Sequence, residues 1–311
     1  MRPADPARWA AAAGHLGLAL LATLPLVLSP LDRLIGHPEG DVWNHAWGPW
    51  WFWSSLSQGA LPLVTGLLSA PVGGRLWFPD SLGALVGAPL VPLLGPVAAW
   101  NGVVLFHLVL ASVGGRRLAL ALGAGATESW LGAALLTCSP YLLSEVHNGI
   151  SEAMAVGPPV LALAALLRAS EGRGLRAWLG AGAWAGLTLA GTTYYSIGLA
   201  TVALPIVLVC LLKRGPRRVL PGLLLAVGLA VAIGLPLLYA AWWTLQANAL
   251  VFRPLARSLA DLEPQLRHNA VDPRTFLWPG DFQSVVLEGE SFRHSSYLGV
   301  LGLALALRSR A

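Results

Sequence analysis

Charged residues are scarce in this sequence. Only 11% of its 311 residues are Asp, Glu, Lys or Arg, while 56% are hydrophobic. Soluble domains have about 25% charged residues, so this chain has too little polar surface to cover a water-soluble globule. The composition therefore excludes a water-soluble fold and predicts an all-α fold, a polytopic transmembrane helix bundle.

Cysteine and the common catalytic motifs are also rare or missing. The two cysteines, Cys138 and Cys210, lie in apolar stretches, where cysteine usually packs as a small apolar residue. We therefore expect neither a disulfide nor a thiolate metal site. The sequence has no P-loop, dinucleotide fingerprint, zinc-protease helix or Gly-x-Ser-x-Gly elbow. It also lacks the chain of acids within apolar runs that an ion-coupled pump would need, which counts against transport.

Long apolar runs occupy most of the chain. A helix needs about 20 such residues to cross a bilayer core about 30 Å thick. The first run, 9–31, follows Arg2 and Arg8 without a clear cleavage site, which is typical of an uncleaved signal anchor. Further runs lie at 81–97, 98–115, 129–146, 153–168, 176–192, 195–212, 219–244 and 296–307. We expect one transmembrane domain over 1–311 with about eight spans, the last one short, as in the front part of a longer protein or a shortened family member.

Basic residues fall in short clusters between these runs. The net charge of +5 is therefore a topology signal, and we expect no nucleic-acid partner. All clusters lie on one side, the cytoplasmic side, only if the run 81–97 does not cross. Prolines and glycines weaken that run as a full-length helix, so we predict a short juxtamembrane or re-entrant helix there. The N-terminus is then cytoplasmic, and 32–97, with its juxtamembrane helices, and 245–295 are extracytoplasmic loops.

The first of these loops begins with a tryptophan-rich stretch from Gly40 to Trp53. Five indole rings lie in it, a density typical of a lipid–water boundary. On a helix beginning near Asp41, Asp41 and His45 share one face. A carboxylate beside an imidazole can act as a general base, orient the imidazole or share a divalent cation. Alternatively, Asp41 only caps the helix.

The turn 145–152 brings a second group of polar residues to the same predicted face. It contains Glu145, His147, Asn148 and Glu152. Acidic and imidazole groups at the mouth of a helix bundle are costly to desolvate and often mark a site. In that reading His147 and Asn148 bind substrate and Glu152 is catalytic. The alternative is that all of them are solvated loop residues that end the preceding span.

Three further residues are candidates for substrate binding. Tyr194 and Tyr195 either anchor a helix end at the interface or hydrogen-bond a sugar or phosphate. Arg253, like the other arginines of the loop 245–295, either binds an anionic head group or pyrophosphate or is only solvated. His107, within an apolar run, is expected to form a hydrogen bond between packed helices.

Several short motifs follow one another along most of the chain. They are Gly40-Asp41 after the first span, Gly-Pro-x-x-Ala-x-Asn from Gly95 to Asn101, Gly-Arg-Arg-Leu from Gly115 to Leu118, Ser-Pro-Tyr from Ser139 to Tyr141, and Tyr-Leu-Gly from Tyr297 to Gly299. This arrangement resembles the GT-C superfamily of polytopic membrane glycosyltransferases, the class that includes protein O-mannosyltransferases and aminoarabinose transferases.

The resemblance implies a transferase in a bacterial inner membrane that takes its sugar from a polyprenyl-phosphate-linked donor, with membrane lipid as a partner. It implies that the acid of the first outer loop, here Asp41, is the base that deprotonates an acceptor hydroxyl. Members of the family often have two adjacent acids there, whereas Val42 follows Asp41 in this chain. We therefore expect His45 or Glu152 to supply the second polar group. A lipid or solute transporter and a non-catalytic membrane protein are the alternatives.

Overall fold

Helices make up nearly all of the regular structure. The computed structural model describes residues 6–67, 73–76 and 78–247, together with Arg274 and Leu277. The helices within these residues confirm the predicted all-α bundle. They are α1 (Pro6–Ala22), α2 (Val42–Ser57), α3 (Ser81–Gly87), α4 (Val91–Ala121), α5 (Ser129–Thr137), α6 (Pro140–Asn148), α7 (Ser151–Met154), α8 (Gly157–Ser170), α9 (Leu175–Gly191), α10 (Thr193–Arg214) and α11 (Pro216–Ala247). Two 3₁₀ turns (Leu26–Leu28 and Ala88–Leu90) and two short antiparallel strands, β1 (Val64–Thr65) and β2 (Gly74–Arg75), complete the described elements.

Some of these helices are long and apolar enough to cross a membrane. Within the described residues there are four such stretches: Ser81–Ala121, Ser151–Ser170, Thr193–Arg214 and Pro216–Thr244. Large apolar side chains of α10 point outward, and Leu212 and Ile197 are 86% and 71% exposed. Such a surface is unfavourable in water and stable in lipid. The chain is therefore an integral membrane protein, while the further spans and the sidedness expected from the sequence stay predictions.

The run 81–97 does not form one regular helix. It is divided into the seven-residue α3, a 3₁₀ turn and the start of α4, in which Gly95 has a φ of 85°. This left-handed conformation is readily adopted by glycine, and Pro96 then restarts the helix. From Pro96 to Ala121 the helix measures about 39 Å, which is enough for one complete span.

The run 129–146, expected as a single span, is also interrupted. It forms α5 and α6, which have nine residues each. The break occurs at Ser139, whose side chain accepts a hydrogen bond from the Leu142 N–H, and Pro140 follows at the first helical position. Serine at the N-cap followed by proline is a strong signal for a new helix. Each of the two helices spans only about 14 Å.

The bundle is built around α4 and α9. Trp100, Val104 and Leu108 of α4 are fully buried in the largest apolar cluster. On the other side α9 packs against both α8 and α11. A Cβ atom at Gly182 or Gly186 of α9 would collide with α11, so these glycines allow the two backbones to approach closely.

The chain after α1 is fastened to α4 by two side chains. Asn101 accepts a hydrogen bond from the Ile35 N–H at 2.8 Å and donates to the carbonyls of Pro30 and Arg33 at 2.8 and 2.7 Å. The indole of Trp100 donates to the Ile35 carbonyl at 2.8 Å. These bonds fix the path of the segment that leads into α2.

Three of the basic clusters share one end of the bundle. Arg117, Arg168 and Arg176 line a common cavity. Arg214 donates to the carbonyls of Ala169 and Ser170 at 3.3 and 3.0 Å, which brings the turn between α10 and α11 to the same end. Most of the predicted loop 245–295 and all of the run 296–307 lie outside the described residues.

Candidate functional site

The tryptophan-rich stretch forms α2, and Asp41 occupies its N-cap position. The carboxylate makes no capping hydrogen bond; instead, its Oδ1 accepts from the Asn44 side chain at 3.1 Å. Its backbone N–H donates to the carbonyl of Asn148 at 3.0 Å. The start of α2 is therefore held by the turn after α6, and the Asp41 carboxylate is not consumed by capping.

This junction between the two predicted outer segments is tightly packed. The His37 N–H donates to the His147 carbonyl at 2.7 Å, and the two imidazole rings lie 4.8 Å apart. A Cβ at Gly40 would lie 2.5 Å from the Asn148 carbonyl oxygen, so no side chain fits there. Gly149 has a φ of 74° and ends α6, and a Cβ there would collide with Val42. Glycine is required at both close approaches.

His45 is the buried polar residue of α2, and it meets α7. Its Nδ1 lies 3.1 Å from the Ser151 hydroxyl and 3.1 Å from Glu152 Oε2. The contact with Glu152 is short enough for an ion pair but is not aligned as a hydrogen bond, so Glu152 Oε2 has no hydrogen-bond partner among the described residues. Burial lowers the pKa of His45, although the charges of Asp80 and Asp41 oppose this. The imidazole is therefore uncharged near neutral pH.

Asp80 was not predicted from the sequence as a site residue, but it is a buried member of this cluster. It is completely buried and caps α3, with its Oδ1 accepting the Gly83 N–H at 2.8 Å. Its Oδ2 lies 2.9 Å from His107 Nε2, and Ser151 is close enough to contribute to its pKa. Burial alone would raise the pKa of Asp80, but the charge and hydrogen bond of His107, with these other donors, lower it below the ordinary value. Asp80 is therefore a stable anion.

Ser151 links the two histidines through one connected network. Its hydroxyl lies 3.1 Å from His45 Nδ1 and helps to lower the pKa of Asp80. The other ring nitrogen of His45, Nε2, has no hydrogen-bond partner among the described residues. His107 Nδ1 is buried and has no partner within the described part of the chain.

A second buried acid lies in the same turn. Glu145 is 5% exposed, and burial raises its pKa to about 7, opposed by a hydrogen bond from the Asn148 side chain. Asn148 therefore supports Glu145 through its side chain and α2 through its carbonyl. Both roles hold the site together and leave Asn148 little freedom to bind a substrate.

The two predicted tyrosines have different surroundings. The Tyr195 hydroxyl donates to the Ala153 carbonyl at 2.7 Å and accepts from Tyr141 at 2.5 Å, so it connects α10 to α7 and α6. Burial raises the pKa of Tyr141 above its ordinary value. Tyr194 is 48% exposed and packs edge-on against Tyr195. Of the two, Tyr194 is the one whose ring is open to a ligand.

The structure thus brings some of the predicted site residues together and separates others. His45 and Glu152 are in contact, and the Asp41 charge acts on His45. His147 and Asn148 serve the junction with α2, and Arg253 lies outside the described residues. The missed residue, Asp80, had one signal in the sequence: an aspartate directly before an apolar run is typical of a helix N-cap. His107, expected to bond between helices, has this acid as its partner.

No protein-family model, curated protein or solved structure matches this chain. Within the described residues no group of three or more His, Cys, Asp or Glu side chains could hold a metal ion. The cluster offers two groups that can accept a proton, the uncharged imidazole of His45 and Glu152 Oε2, beside the Asp80 carboxylate.

Proposed function

We propose that this chain is a membrane glycosyltransferase that moves a sugar from a polyprenyl-phosphate-linked donor to an acceptor hydroxyl at the extracytoplasmic face. The observation that carries the proposal is the contact between His45 and Glu152. A carboxylate oxygen that has no hydrogen-bond partner among the described residues and lies next to an uncharged imidazole can accept a proton near neutral pH. The cluster also includes His45 of the tryptophan-rich helix α2, whose composition is typical of a lipid–water boundary.

The reaction assigns a separate role to each group. The acceptor hydroxyl loses its proton to Glu152, its oxygen forms a bond to the anomeric carbon of the sugar, and the bond from that carbon to the phosphate oxygen breaks. Polyprenyl phosphate leaves as an anion. The resemblance implies Asp41 as the base; we assign that role to Glu152 instead, because Asp41 Oδ1 accepts from the Asn44 side chain whereas Glu152 Oε2 has no hydrogen-bond partner among the described residues. His45 lies 3.1 Å from Glu152 Oε2, and Asp41, at the start of the same helix, orients the acceptor.

Variants of the acids test this assignment. In the full-length protein, in membranes supplied with radiolabelled polyprenyl-phosphate sugars, Glu152→Gln should lower sugar transfer by about 100-fold or more, because a general base contributes roughly 10²–10⁴ in rate. Glu39→Gln, which changes an exposed acid of the same predicted loop, should leave transfer unchanged. Unchanged transfer in both Glu152→Gln and Asp41→Asn, with membrane insertion verified, would refute the proposal.

Proton-coupled transport is the second candidate, and one observation favours it. Asp80 and His107 are both fully buried within the helix bundle, and buried acid–imidazole pairs are typical of proton relays in transporters. Proteoliposomes containing a pH-sensitive dye distinguish the two functions. Transport predicts proton entry that depends on an added solute and is lost in Asp80→Asn, whereas glycosyl transfer predicts no such entry.

A further inference from the structure

A cavity of about 440 Å³ lies between α4, α8 and α9, far from the candidate site. Glu152 and Arg168 stand near opposite ends of the helical stretch Ser151–Ser170, which separates them by roughly 24 Å. Four arginines line the cavity: Arg117, Arg168, Arg173 and Arg176. From the sequence, these arginines are explained only as markers of the cytoplasmic side. That explanation does not account for their position around one cavity.

The described residues leave most of the charge of this cavity unpaired. Arg173 pairs with Glu171 at 3.0 Å, and both side chains are exposed. Arg117, Arg168 and Arg176 form no ion pair with any described residue. Several guanidinium groups that face one space repel one another, and a bound anion relieves that repulsion. Guanidinium groups also match the oxygens of a phosphate in bidentate geometry.

The first turn of α9 adds backbone donors to the same space. This helix begins after Gly174, which has a φ of 80° and supplies no side-chain cap. Arg176 and Ala177 of the first turn line the cavity, but the Ala177 N–H already donates to the Gly174 carbonyl at 3.2 Å, so of these two the Arg176 N–H is the donor left for a ligand. The first N–H groups of an α-helix have no intrahelical acceptor, and the helix dipole favours a negative charge there. Guanidinium groups and helix start therefore favour the same kind of ligand.

The deeper part of the cavity is apolar. Leu161 lies seven residues before Arg168 on α8, about 10 Å along the helix. Trp184 lies eight residues after Arg176 on α9, about 12 Å along that helix. Ala164 and Ala165 line the space between them. A small inorganic anion would occupy the basic rim and leave this apolar floor empty, whereas an amphiphile would cover both.

We propose that this cavity binds an anionic phospholipid, with its phosphate on the arginine rim and the beginning of an acyl chain on the apolar floor. Basic pockets between transmembrane helices are suited to such head groups. The site is independent of glycosyl transfer, because none of its residues belongs to the cluster around His45. It would hold one lipid in place between α4, α8 and α9.

Binding to the purified full-length protein tests the proposal. The protein is placed in phosphatidylcholine nanodiscs, phosphatidylglycerol is added in steps, and native mass spectrometry counts the retained lipids. We expect saturable retention of phosphatidylglycerol, weakened at least about 10-fold in the double variant Arg168→Gln/Arg176→Gln, since it removes two charge-assisted contacts. The matched control, Arg217→Gln/Arg218→Gln, removes two exposed arginines from the first turn of α11, outside the cavity, and should change retention less than about 2-fold. Equal losses in both double variants would overturn the proposal.

Two further arms distinguish a lipid from a soluble phosphate and guard against misfolding. Ala165→Phe fills the apolar floor and keeps all four arginines, so it should weaken lipid retention. Unchanged retention would show that no acyl chain lies on the apolar floor. Inorganic pyrophosphate should not displace the lipid at equal concentration, and displacement would assign the cavity to a soluble ligand.

If the glutamine variants fail to fold, Arg168→Lys/Arg176→Lys keeps the charge and should lose only the bidentate part of the affinity, about 3-fold or more. Full retention by that variant would overturn the role of these arginines.

Discussion

His45 and Ser151 are 106 positions apart in the chain, yet His45 Nδ1 lies 3.1 Å from the Ser151 hydroxyl. Ser151 also helps to lower the pKa of Asp80, which in turn lies 2.9 Å from His107. One small side chain thus lies among groups of α2, α3, α4 and α7.

Removing the Ser151 hydroxyl should weaken both the fold and the site. In Ser151→Ala the buried His45 Nδ1 loses its hydrogen-bond partner, and a buried unsatisfied polar group costs about 1–3 kcal/mol. The free energy of unfolding in detergent should fall by that amount. The control is Ser55→Ala near the end of α2, where the change should stay within about 0.5 kcal/mol. Equal stability of the Ser151 variant and the wild type would contradict the network.

Replacing Asp80 should have a larger effect. Asp80→Ala leaves His107 Nε2 and the Gly83 N–H without their shared acceptor, and breaking a buried charged pair costs about 3–5 kcal/mol. The exposed acid Asp32, changed to alanine, is the matched control. Denaturant unfolding measures both variants.

Asp80 should also make the protein sensitive to acid. Its folded-state pKa lies below the ordinary value of 3.8, so its contribution to stability is fully present above that pH and is lost as the pH falls through the lower folded value. Unfolding curves between pH 6 and pH 3 should show this loss in the wild type and a smaller one in Asp80→Asn. A parallel loss in both proteins would assign the acid sensitivity to other groups.

Glu145 should act in the opposite direction. Burial raises its pKa from 4.5 to about 7, so the folded state binds a proton that the unfolded state releases. Its contribution to stability is fully present below pH 4.5 and is lost as the pH rises through about 7. Glu145→Gln removes the charge and should raise stability at pH 8, by up to about 3 kcal/mol relative to the wild type, with little change at pH 4. The free energy of unfolding at the two pH values provides the check.

Tyr195 and Tyr194 should have different roles, Tyr195 in the stability of the fold and Tyr194 in ligand binding. Tyr195→Phe loses the hydrogen bonds to the Ala153 carbonyl and to Tyr141, so it should lower the free energy of unfolding by about 1–2 kcal/mol. Tyr194→Phe, at an exposed ring, should leave stability within about 0.5 kcal/mol and, under the proposed function, raise the KM for the donor. A larger stability loss in Tyr194→Phe than in Tyr195→Phe would reverse these roles.

Local features of the fold could be predicted from the sequence, and long-range ones could not. Hydropathy indicated the helix bundle, and proline and glycine content indicated that 81–97 is not one regular helix. The start of α2 at Asp41 followed from local pattern as well. The Ser-Pro pair indicates a helix break at Ser139. The apolar run 129–146 continues across that pair, however, and therefore predicts a single span.

The residues of the site show more clearly that contacts between distant segments could not be predicted from the sequence. His45 and Glu152 were recognised as candidates because polar groups stand out beside apolar runs. Asp80 was missed because an aspartate before an apolar run already has a local explanation, and capping α3 is indeed one of its roles. Its second role depends on His107, which another helix brings to it, and no local pattern contains that information.

The hydrogen bonds of Asn101 have a mechanical consequence. Because the Asn101 side chain forms hydrogen bonds with Ile35, Pro30 and Arg33, it attaches the segment entering α2 to α4. The same helix carries His107, which holds Asp80. A tilt of α4 would therefore move the entrance of α2 and Asp80 together.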